Sequence, residues 1–181
     1  MLRRRLDPPR DIFPIDDWAL AVVGYRREVF AQYIGQAETM FALANGFLGM
    51  RGTHEEDHPI KEPGTFLNGF YEIRPIVYGE HAYGFPKVGQ TMLNCPSGAI
   101  IKLYVDDQPF DLESAEVIGY HRSLDLRDGV LRREVVFETA RGKRVRVTSL
   151  RLVSLTYRNL AAIRYQVAIE NADADLICLR S

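Results

Sequence analysis

Residues 130–170 read VLRREVVFETARGKRVRVTSLRLVSLTYRNLAAIRYQVAIE, and this stretch decides the fold. Apolar and polar residues alternate along it, which is the period of a β-strand that buries one face. Leu131, Val135 and Phe137 share one face of the first segment, and residues 163–169 repeat the alternation. Short segments of this kind, separated by turn residues, predict neighbouring antiparallel strands.

The middle segment of this stretch changes phase. Val145 and Val147 fit one face of a strand, whereas Leu150 and Leu152 fit the opposite face. One extra residue between the pairs would bring all four side chains to the same side of the sheet. We therefore predict a β-bulge at Thr148-Ser149.

Turn residues divide the rest of the second half into short segments. They stand at Arg127-Asp128-Gly129, Arg141-Gly142 and Asn171-Ala172-Asp173. Residues 100–105 lead into Asp106-Asp107-Gln108-Pro109 and then into residues 110–112, a pattern that predicts another hairpin. Pro109 should lie at the turn or at a sheet edge, because it cannot donate a ladder hydrogen bond.

The first half is less regular. Residues 18–23, 47–50 and 65–71 have the composition of short strands, the last two of them buried. Residues 38–44 favour a helical turn that Asn45-Gly46 would end, and no stretch longer than about ten residues carries a helical apolar stripe. Many short strands with frequent turns predict an all-β antiparallel sandwich or barrel.

Composition excludes several classes of protein. The 23 basic and 24 acidic residues give a net charge of −1, which offers no positive surface for nucleic acid or an anionic membrane. Arg3-Arg4-Arg5 is followed by Asp7-Pro8-Pro9 rather than by an apolar run, which predicts a tail and no secretory signal. No apolar run approaches the ~20 residues of a membrane span. Cys95 and Cys178 lack a CxxC spacing, which favours two free thiols in the cytoplasm over a single bridge.

One domain of ordinary size accounts for the 181 residues. We place an N-terminal tail over residues 1–17 and a β-sandwich domain over residues 18–181. Residues 175–180 have a strand pattern that reaches Ser181 without a turn, so we expect a sandwich that is incomplete at its C-terminal end.

Acidic residues and histidines are the first candidates for chemistry. The cluster His54-Glu55-Glu56-Asp57-His58 matches no metal motif, and we interpret it as a solvated loop. Asp106-Asp107 cannot flank one glycosidic bond, because adjacent residues of a strand point to opposite faces. His81 and His121 have no nucleophile near them in the sequence. We therefore predict no catalytic residue and no metal ligand.

An aromatic-rich segment is the most suggestive feature. Residues 73–89 contain Tyr78, Tyr83 and Phe85 beside Glu80, with glycines and prolines that predict a long ordered loop. Sugars are held by ring stacking together with charged hydrogen-bond partners. The alternative, which we favour, is that these rings pack the loop onto its own sandwich or onto another domain.

Several segments together resemble a known enzyme family. They are residues 38–52 (ETMFALANGFLGMRG), 63–72 (PGTFLNGFYE), 78–86 (YGEHAYGFP), 105–110 (VDDQPF), 124–127 (LDLR) and 151–154 (RLVS). In order and spacing they are similar to the N-terminal domain of glycoside hydrolase family 65, which contains maltose, trehalose and kojibiose phosphorylases and related hydrolases. The likeness runs from about residue 18 to the last residue, and it is strongest to actinobacterial members that resemble trehalose-type phosphorylases.

The resemblance implies a large antiparallel β-supersandwich of the galactose mutarotase-like kind, longer than this chain. In the family, a helical linker, an (α/α)6 barrel and a small C-terminal β-domain follow it. The barrel supplies the general-acid glutamate, the phosphate site and most sugar contacts, so the resemblance assigns no catalytic residue to this chain.

The implied reaction of the whole enzyme is inverting phosphorolysis of an α-linked glucose disaccharide. A glutamic acid protonates the glycosidic oxygen while phosphate attacks the anomeric carbon from the opposite face, which yields β-glucose 1-phosphate. Inorganic phosphate is then a co-substrate, and no cofactor is expected. If this domain contacts the disaccharide, the expected contacts are Arg51, Tyr78, Glu80, Tyr83 and Phe85.

Three functions remain to be distinguished. The leading one is a non-catalytic domain that packs on the catalytic barrel and shapes its entrance or a dimer interface. The alternative is a stand-alone carbohydrate-binding module, which needs an exposed aromatic platform and measurable glycan affinity. A self-sufficient hydrolase would need two opposed carboxylates in one cleft, and no pair in the sequence promises this. The sequence fixes neither the disaccharide nor the oligomeric state, for which a homodimer is one possible assembly.

Overall fold

The computed structural model describes residues 9–56, 60–173 and 175–180. Antiparallel strands make up most of the regular secondary structure in this part of the chain, which confirms the all-β prediction. In chain order the elements are β1 (Ala19–Val23), α1 (Arg27–Met40), β2 (Leu43–Ala44), β3 (Leu48–Met50), β4 (Thr65–Pro75), β5 (Val88–Asn94), β6 (Ile101–Val105), β7 (Gln108–Pro109), β8 (Glu116–Asp125), β9 (Val130–Glu138), β10 (Arg144–Val153), β11 (Ala161–Ile169) and β12 (Leu176–Arg180).

The main sheet has five strands in the order β1-β8-β9-β10-β11. Its strands from β8 to β11 follow one another in the chain, as the predicted turns require. Gly129 and Gly142 take φ values of 65° and 73° in those turns, a left-handed conformation that glycine adopts without strain. One face of the sheet is buried around Val135, Val145 and Val147, and the other carries charged residues, as is common for an antiparallel sheet.

The predicted β-bulge at Thr148-Ser149 is wrong. Strand β10 pairs without interruption along both of its neighbours. Ser149 and Arg151 lie on the buried face, whereas Leu150 and Leu152 lie half-buried on the other face. The side chains therefore keep one alternation along the whole of β10. The sequence suggested a change of phase because two polar residues occupy core positions. A bulge does occur in the main sheet, but it lies in β8 between Val117 and Gly119.

A hairpin was predicted after residues 100–105 and is present, but its second strand is β7 (Gln108–Pro109) and not the predicted residues 110–112. Asp106 and Asp107 both have positive φ, 49° and 62°, as the two central residues of a type I′ turn require. Pro109 lies in β7, at the edge of the three-stranded sheet β12-β6-β7.

Helix α1 is the element that the sequence prediction missed. Instead of one helical turn over residues 38–44, a 14-residue helix runs over Arg27–Met40. It buries Tyr33, Ile34, Ala37 and Glu38 against the sheets. The buried stripe is narrow and includes a charged residue, so the apolar periodicity is weak.

The third sheet has the order β2-β3-β4-β5. The strands predicted over residues 47–50 and 65–71 are present, but most side chains of β4 are exposed. Strand β4 continues to Pro75 and β5 begins at Val88, so the predicted loop is shorter and spans residues 76–87.

Residues 9–17 contact the domain, although the sequence places them in a tail. Ile12 is buried in the core, and its carbonyl oxygen accepts a hydrogen bond from Val23 N–H at 2.8 Å. No helix in the described part of the chain has the length and apolar character that a membrane crossing requires.

Candidate functional site

The aromatic loop, residues 76–87, projects from the end of the β4–β5 hairpin. The Tyr78 ring packs against Phe85, with centroids 4.9 Å apart, and against His81 at 6.2 Å. Tyr83 is fully exposed, and Glu80 is also exposed. The loop therefore has a small aromatic centre of its own and presents one free ring to the outside.

Arg51 lies far from the aromatic loop. Its side chain packs against Gly64, directly before β4, and β4 then runs eleven residues before the loop begins. At about 3.3 Å per residue, roughly 30 Å separate Arg51 from the loop. Arg51 Nε donates to Glu62 O at 2.9 Å, and its Nη2 lies 3.5 Å from Glu38 Oε2. The structure thus brings together four of the five predicted substrate contacts and leaves Arg51 in a separate, structural contact.

The interior holds a cluster of charged side chains that the sequence interpretation missed. This buried ion cluster consists of Glu55, Glu56, Arg133, Ser149, Arg151 and Tyr165. Arg133 Nη1 donates to Glu56 Oε2 at 2.7 Å, and a second guanidinium nitrogen binds the other oxygen of the same carboxylate. Such bidentate, charge-assisted pairs are the strongest hydrogen-bonded contacts between side chains.

Glu55 lies between two arginines. Arg151 Nη2 donates to Glu55 Oε1 at 2.6 Å, and Arg133 Nη2 lies 3.1 Å from Glu55 Oε2. Ser149 Oγ donates to the same carboxylate at 3.2 Å, and Tyr165 OH donates to Glu56 at 2.7 Å. Both carboxylates are therefore fully engaged with donors from β9, β10 and β11.

The backbone of residues 51–56 is held by the same strands. This segment forms no helix or strand, yet residues 52–56 are buried. Arg151 donates to the carbonyl oxygens of Arg51 and Thr53 at 3.2 and 3.0 Å, and Arg122 donates to Gly52 O at 2.6 Å. The arginines thus satisfy carbonyl groups that irregular buried backbone would otherwise leave unpaired.

The predicted solvated loop at His54-Glu55-Glu56-Asp57-His58 is therefore wrong for its first three residues. Asp57 and His58 lie outside the described residues. His54 is buried, and its Nε2 lies 2.9 Å from Tyr120 OH. A signal was present in the sequence: Arg133 and Arg151 both fall in the core phase of their strands, and buried arginines need carboxylate partners.

The electrostatics of the cluster oppose proton donation. Burial raises the pKa of Glu55, but the guanidinium groups of Arg151 and Arg133 outweigh it and hold the pKa well below its ordinary value. Burial, with the neighbouring Glu56, raises the pKa of Tyr165 far above its usual range. Glu55 thus stays ionised and Tyr165 stays protonated, which is the state of a structural ion pair and not that of a general acid.

Glu116 and Glu138 line a cleft but also lack catalytic geometry. A cleft of about 340 Å³ beside the stacked rings of Phe110 and Phe137 is lined by Asp111, Glu116 and Glu138. Glu116 and Glu138 are directly opposite on neighbouring strands, so their side chains stand side by side on one wall. Glycoside hydrolysis requires carboxylates on opposite sides of one bond.

The described residues contain no candidate metal site, and the two cysteines are unpaired. No group of three histidine, cysteine or acidic residues in this part of the chain could hold a metal ion. Cys95 and Cys178 are free thiols. His81 contacts the Tyr78 ring, and His121 lies on the exposed face of β8.

Comparison with known proteins decides the family. Residues 26–179 match the family model described as glycosyl hydrolase family 65, N-terminal domain. The chain belongs to glycosyl hydrolase family 65. This confirms the resemblance, and the match includes every residue of the buried ion cluster and of the aromatic loop.

Named relatives place this family 65 domain among larger proteins. It is 46% identical over 161 residues to an uncharacterized glycosyl hydrolase of Mycobacterium tuberculosis, covering 88% of this chain and 20% of that protein. It is 44% identical over 160 residues to an alpha,alpha-trehalose phosphorylase of Thermoanaerobacter brockii, covering 86% and 20%. The chain thus spans about one fifth of the length of these relatives.

A solved structure confirms the fold. A human-microbiome protein assigned as a kojibiose phosphorylase superposes with a TM-score of 0.77 at 22% identity, over 91% of this chain and 21% of that one. The family 65 N-terminal domain is therefore a β-sandwich domain found within larger enzymes of the family.

Proposed function

We propose that this family 65 domain is a non-catalytic part of an enzyme that cleaves an α-linked glucose disaccharide by inverting phosphorolysis. Relatives named trehalose, maltose and kojibiose phosphorylase support this reaction class. Inorganic phosphate is the second substrate, and no cofactor takes part. The partner of this domain is a catalytic (α/α)6 barrel, and the two free thiols suit a cytoplasmic enzyme.

One observation carries the non-catalytic role. Each fully buried carboxylate in the described part of the chain is already bound by donors. Glu55 and Glu56 are held by arginines, and Glu38 accepts the N–H groups of Lys61 and Glu62 at 2.7 and 3.0 Å. A general acid must present a carboxyl oxygen to the glycosidic oxygen, and the oxygens of these three side chains are already bound to protein donors inside the core.

The aromatic loop is the part of the domain that we place at the substrate entrance. Its exposed Tyr83, beside Tyr78, Glu80 and Phe85, offers a ring face and an acidic acceptor of the kind that sugars bind. The loop projects on a two-stranded hairpin, so it can reach a neighbouring domain without disturbing the core. Arg51 has a positioning role instead, since it holds Glu38 and the carbonyl of Glu62.

The first experiment tests the purified 181-residue chain. Incubated with trehalose, maltose or kojibiose and with phosphate, it should release no glucose 1-phosphate, while the T. brockii trehalose phosphorylase serves as positive control. Far-UV circular dichroism and a cooperative melt confirm that the chain is folded. Release of sugar phosphate by the chain alone would overturn the non-catalytic role. Saturable disaccharide binding by calorimetry would instead support the stand-alone module.

A second experiment tests the reaction and the loop. The chain replaces the matching segment of the T. brockii trehalose phosphorylase, to which it is 44% identical. NMR of the product should show β-glucose 1-phosphate, and an α anomer would contradict inversion. Tyr83→Ala should raise KM for the disaccharide several-fold with little change in kcat. Tyr157→Ala, an exposed tyrosine in a different loop, is the matched control.

A further inference from the structure

Two Asn-Gly pairs occur in the chain, at Asn45-Gly46 and Asn68-Gly69, and each is followed by a phenylalanine. Asparagine is a thermolabile residue, and a following glycine leaves the backbone nitrogen beside it open to close approach, because glycine has no Cβ. Both glycines are exposed and have positive φ, 84° and 94°. The two pairs are therefore matched in sequence and in glycine conformation, and the contacts of the asparagine side chains distinguish them.

The Asn45 amide is held at both of its ends. Its Nδ2 donates to the carbonyl oxygens of Ser154 and Arg158 at 2.6 and 2.9 Å. Its Oδ1 accepts hydrogen bonds from the N–H groups of Phe47 and Leu48 at 3.0 and 2.8 Å. The amide nitrogen and the amide oxygen thus have two partners each, so the side chain cannot rotate toward the glycine nitrogen without breaking several hydrogen bonds.

The Asn68 amide is held less firmly. Its Oδ1 accepts from Tyr71 OH at 2.5 Å, but its Nδ2 lies 3.3 Å from Gly46 O, beyond the usual length of about 2.9–3.0 Å for such a bond. The pairing of β4 with β5 is interrupted between Phe66 and Tyr71, so Gly69 has no described partner in either neighbouring strand. The side chain and the backbone of this exposed pair are therefore freer to approach each other than those of the first pair.

We propose that Asn68 is a site of spontaneous deamidation and that Asn45 is protected from the same reaction by its hydrogen bonds. In this reaction the backbone nitrogen of Gly69 forms a bond to Cγ of Asn68, the bond between Cγ and Nδ2 breaks, and ammonia leaves with the proton of the attacking nitrogen. Water then hydrolyses the cyclic imide at one of its two carbonyl groups, which yields aspartate or isoaspartate.

The reaction is internal to two neighbouring residues. It goes beyond the proposed function, and it requires only water in addition to the chain itself. Either product carries a carboxylate in place of the Asn68 amide, and a carboxylate cannot donate to Gly46 O. Isoaspartate also lengthens the backbone of β4 by one methylene group. The modified chain therefore differs from the original in charge and in mass, and both differences can be measured.

Peptide mapping by mass spectrometry tests the proposal on the purified chain, with circular dichroism to show that it is folded. The chain is kept at mildly alkaline pH, where the glycine nitrogen loses its proton more readily, and is sampled over several weeks. The peptide that contains Asn68 should be converted, with isoaspartate detected by protein isoaspartyl methyltransferase. Conversion at Asn45 should be slower by about tenfold or more, because more hydrogen bonds must break before the attack.

Two controls separate the role of the fold from that of the sequence. In urea the hydrogen bonds are lost, so the two Asn-Gly sites should react at similar rates. Exposed Asn159, which is followed by Leu160, reports the slow reaction of an asparagine without a following glycine. Equal conversion of Asn45 and Asn68 in the folded chain would overturn the proposal, as would conversion of Asn68 no faster than that of Asn159. A preference for Asn68 that persists in urea would also overturn it, because the preference would then come from the sequence and not from the structure.

Discussion

Replacing Arg133 with methionine tests whether the buried ion cluster stabilises the fold. The Arg133 side chain is 1% exposed and binds both Glu55 and Glu56. Methionine keeps much of the apolar length but leaves both carboxylates buried without this guanidinium. Removing one partner of a buried ion pair costs about 3–5 kcal/mol. Since 1 kcal/mol lowers Tm by about 2–4 °C in a domain of this size, we expect Tm to fall by roughly 6–20 °C.

The assay is urea and thermal unfolding followed by circular dichroism. The control is Arg146→Met on the neighbouring strand, whose guanidinium is 40% exposed and pairs with Glu134 and Glu170 at 2.5 and 2.6 Å. An exposed pair of this kind contributes less than about 1 kcal/mol, so this variant should lie close to wild type. Equal losses of stability in the two variants would refute the reasoning, because they would show that burial of the pair makes no difference.

Three further predictions use other features of the same fold. The folded-state pKa of Glu55 lies below its ordinary value of 4.5. The ionised Glu55 therefore stabilises the fold above pH 4.5, and this stabilisation is lost as the pH falls below that value. Glu55→Gln should flatten the fall of the urea midpoint between about pH 5 and pH 2. Gly52→Ala should cost about 1–3 kcal/mol in thermal melts, since a Cβ there would lie 2.5 Å from Phe41 Cβ, whereas Gly79→Ala, with open space around it, should change stability by less than about 0.5 kcal/mol. Asn45→Ala should cost about 1–3 kcal/mol and speed amide exchange in the β10–β11 loop, because its side-chain amide donates to two carbonyl oxygens there at 2.6 and 2.9 Å.

Much of the fold could be predicted because its strands follow a simple period. Most segments from Glu116 onward alternate apolar and polar residues, and the turns at Gly129 and Gly142 carry the residue type that a positive φ requires. The turn after β6 was also visible, from the polar residues Asp106-Asp107, although the returning strand is Gln108–Pro109 and not the apolar residues 110–112. Helix α1 was not predicted, because its apolar stripe is weak. Packing against the sheets stabilises the helix, and the sequence pattern alone does not show that packing.

Two errors of the sequence interpretation have one physical cause. Periodicity assigns core positions by hydropathy, so the polar Ser149 and Arg151 suggested a change of phase, and the acidic residues 54–58 suggested solvent. Each group is buried because the other is its partner, and the two are close to a hundred residues apart in the chain. A single sequence shows each half of such a pair separately and gives no direct sign that they meet.

The candidate site was only partly predictable for a similar reason. Tyr78 and Phe85 lie close in the sequence and do pack together, because the loop is a local structure. Arg51 was grouped with them, but the length of β4 separates it from the loop. Whether the loop contacts a disaccharide stays a prediction, with the KM measurement as its test.

The contacts of residues 51–56 with β8, β9 and β10 bear on how the chain folds. Their hydrogen bonds join residues between 66 and 100 positions apart, so no short piece of the polypeptide can form them early. Loop closure of that length must precede the ionic contacts, and domains dominated by such distant pairings fold over milliseconds to seconds. During synthesis, the segment has no place to dock until the ribosome has released β10. We therefore expect nascent chains that stop before Val153 to remain sensitive to protease, and resistance to appear as one step once that strand has emerged.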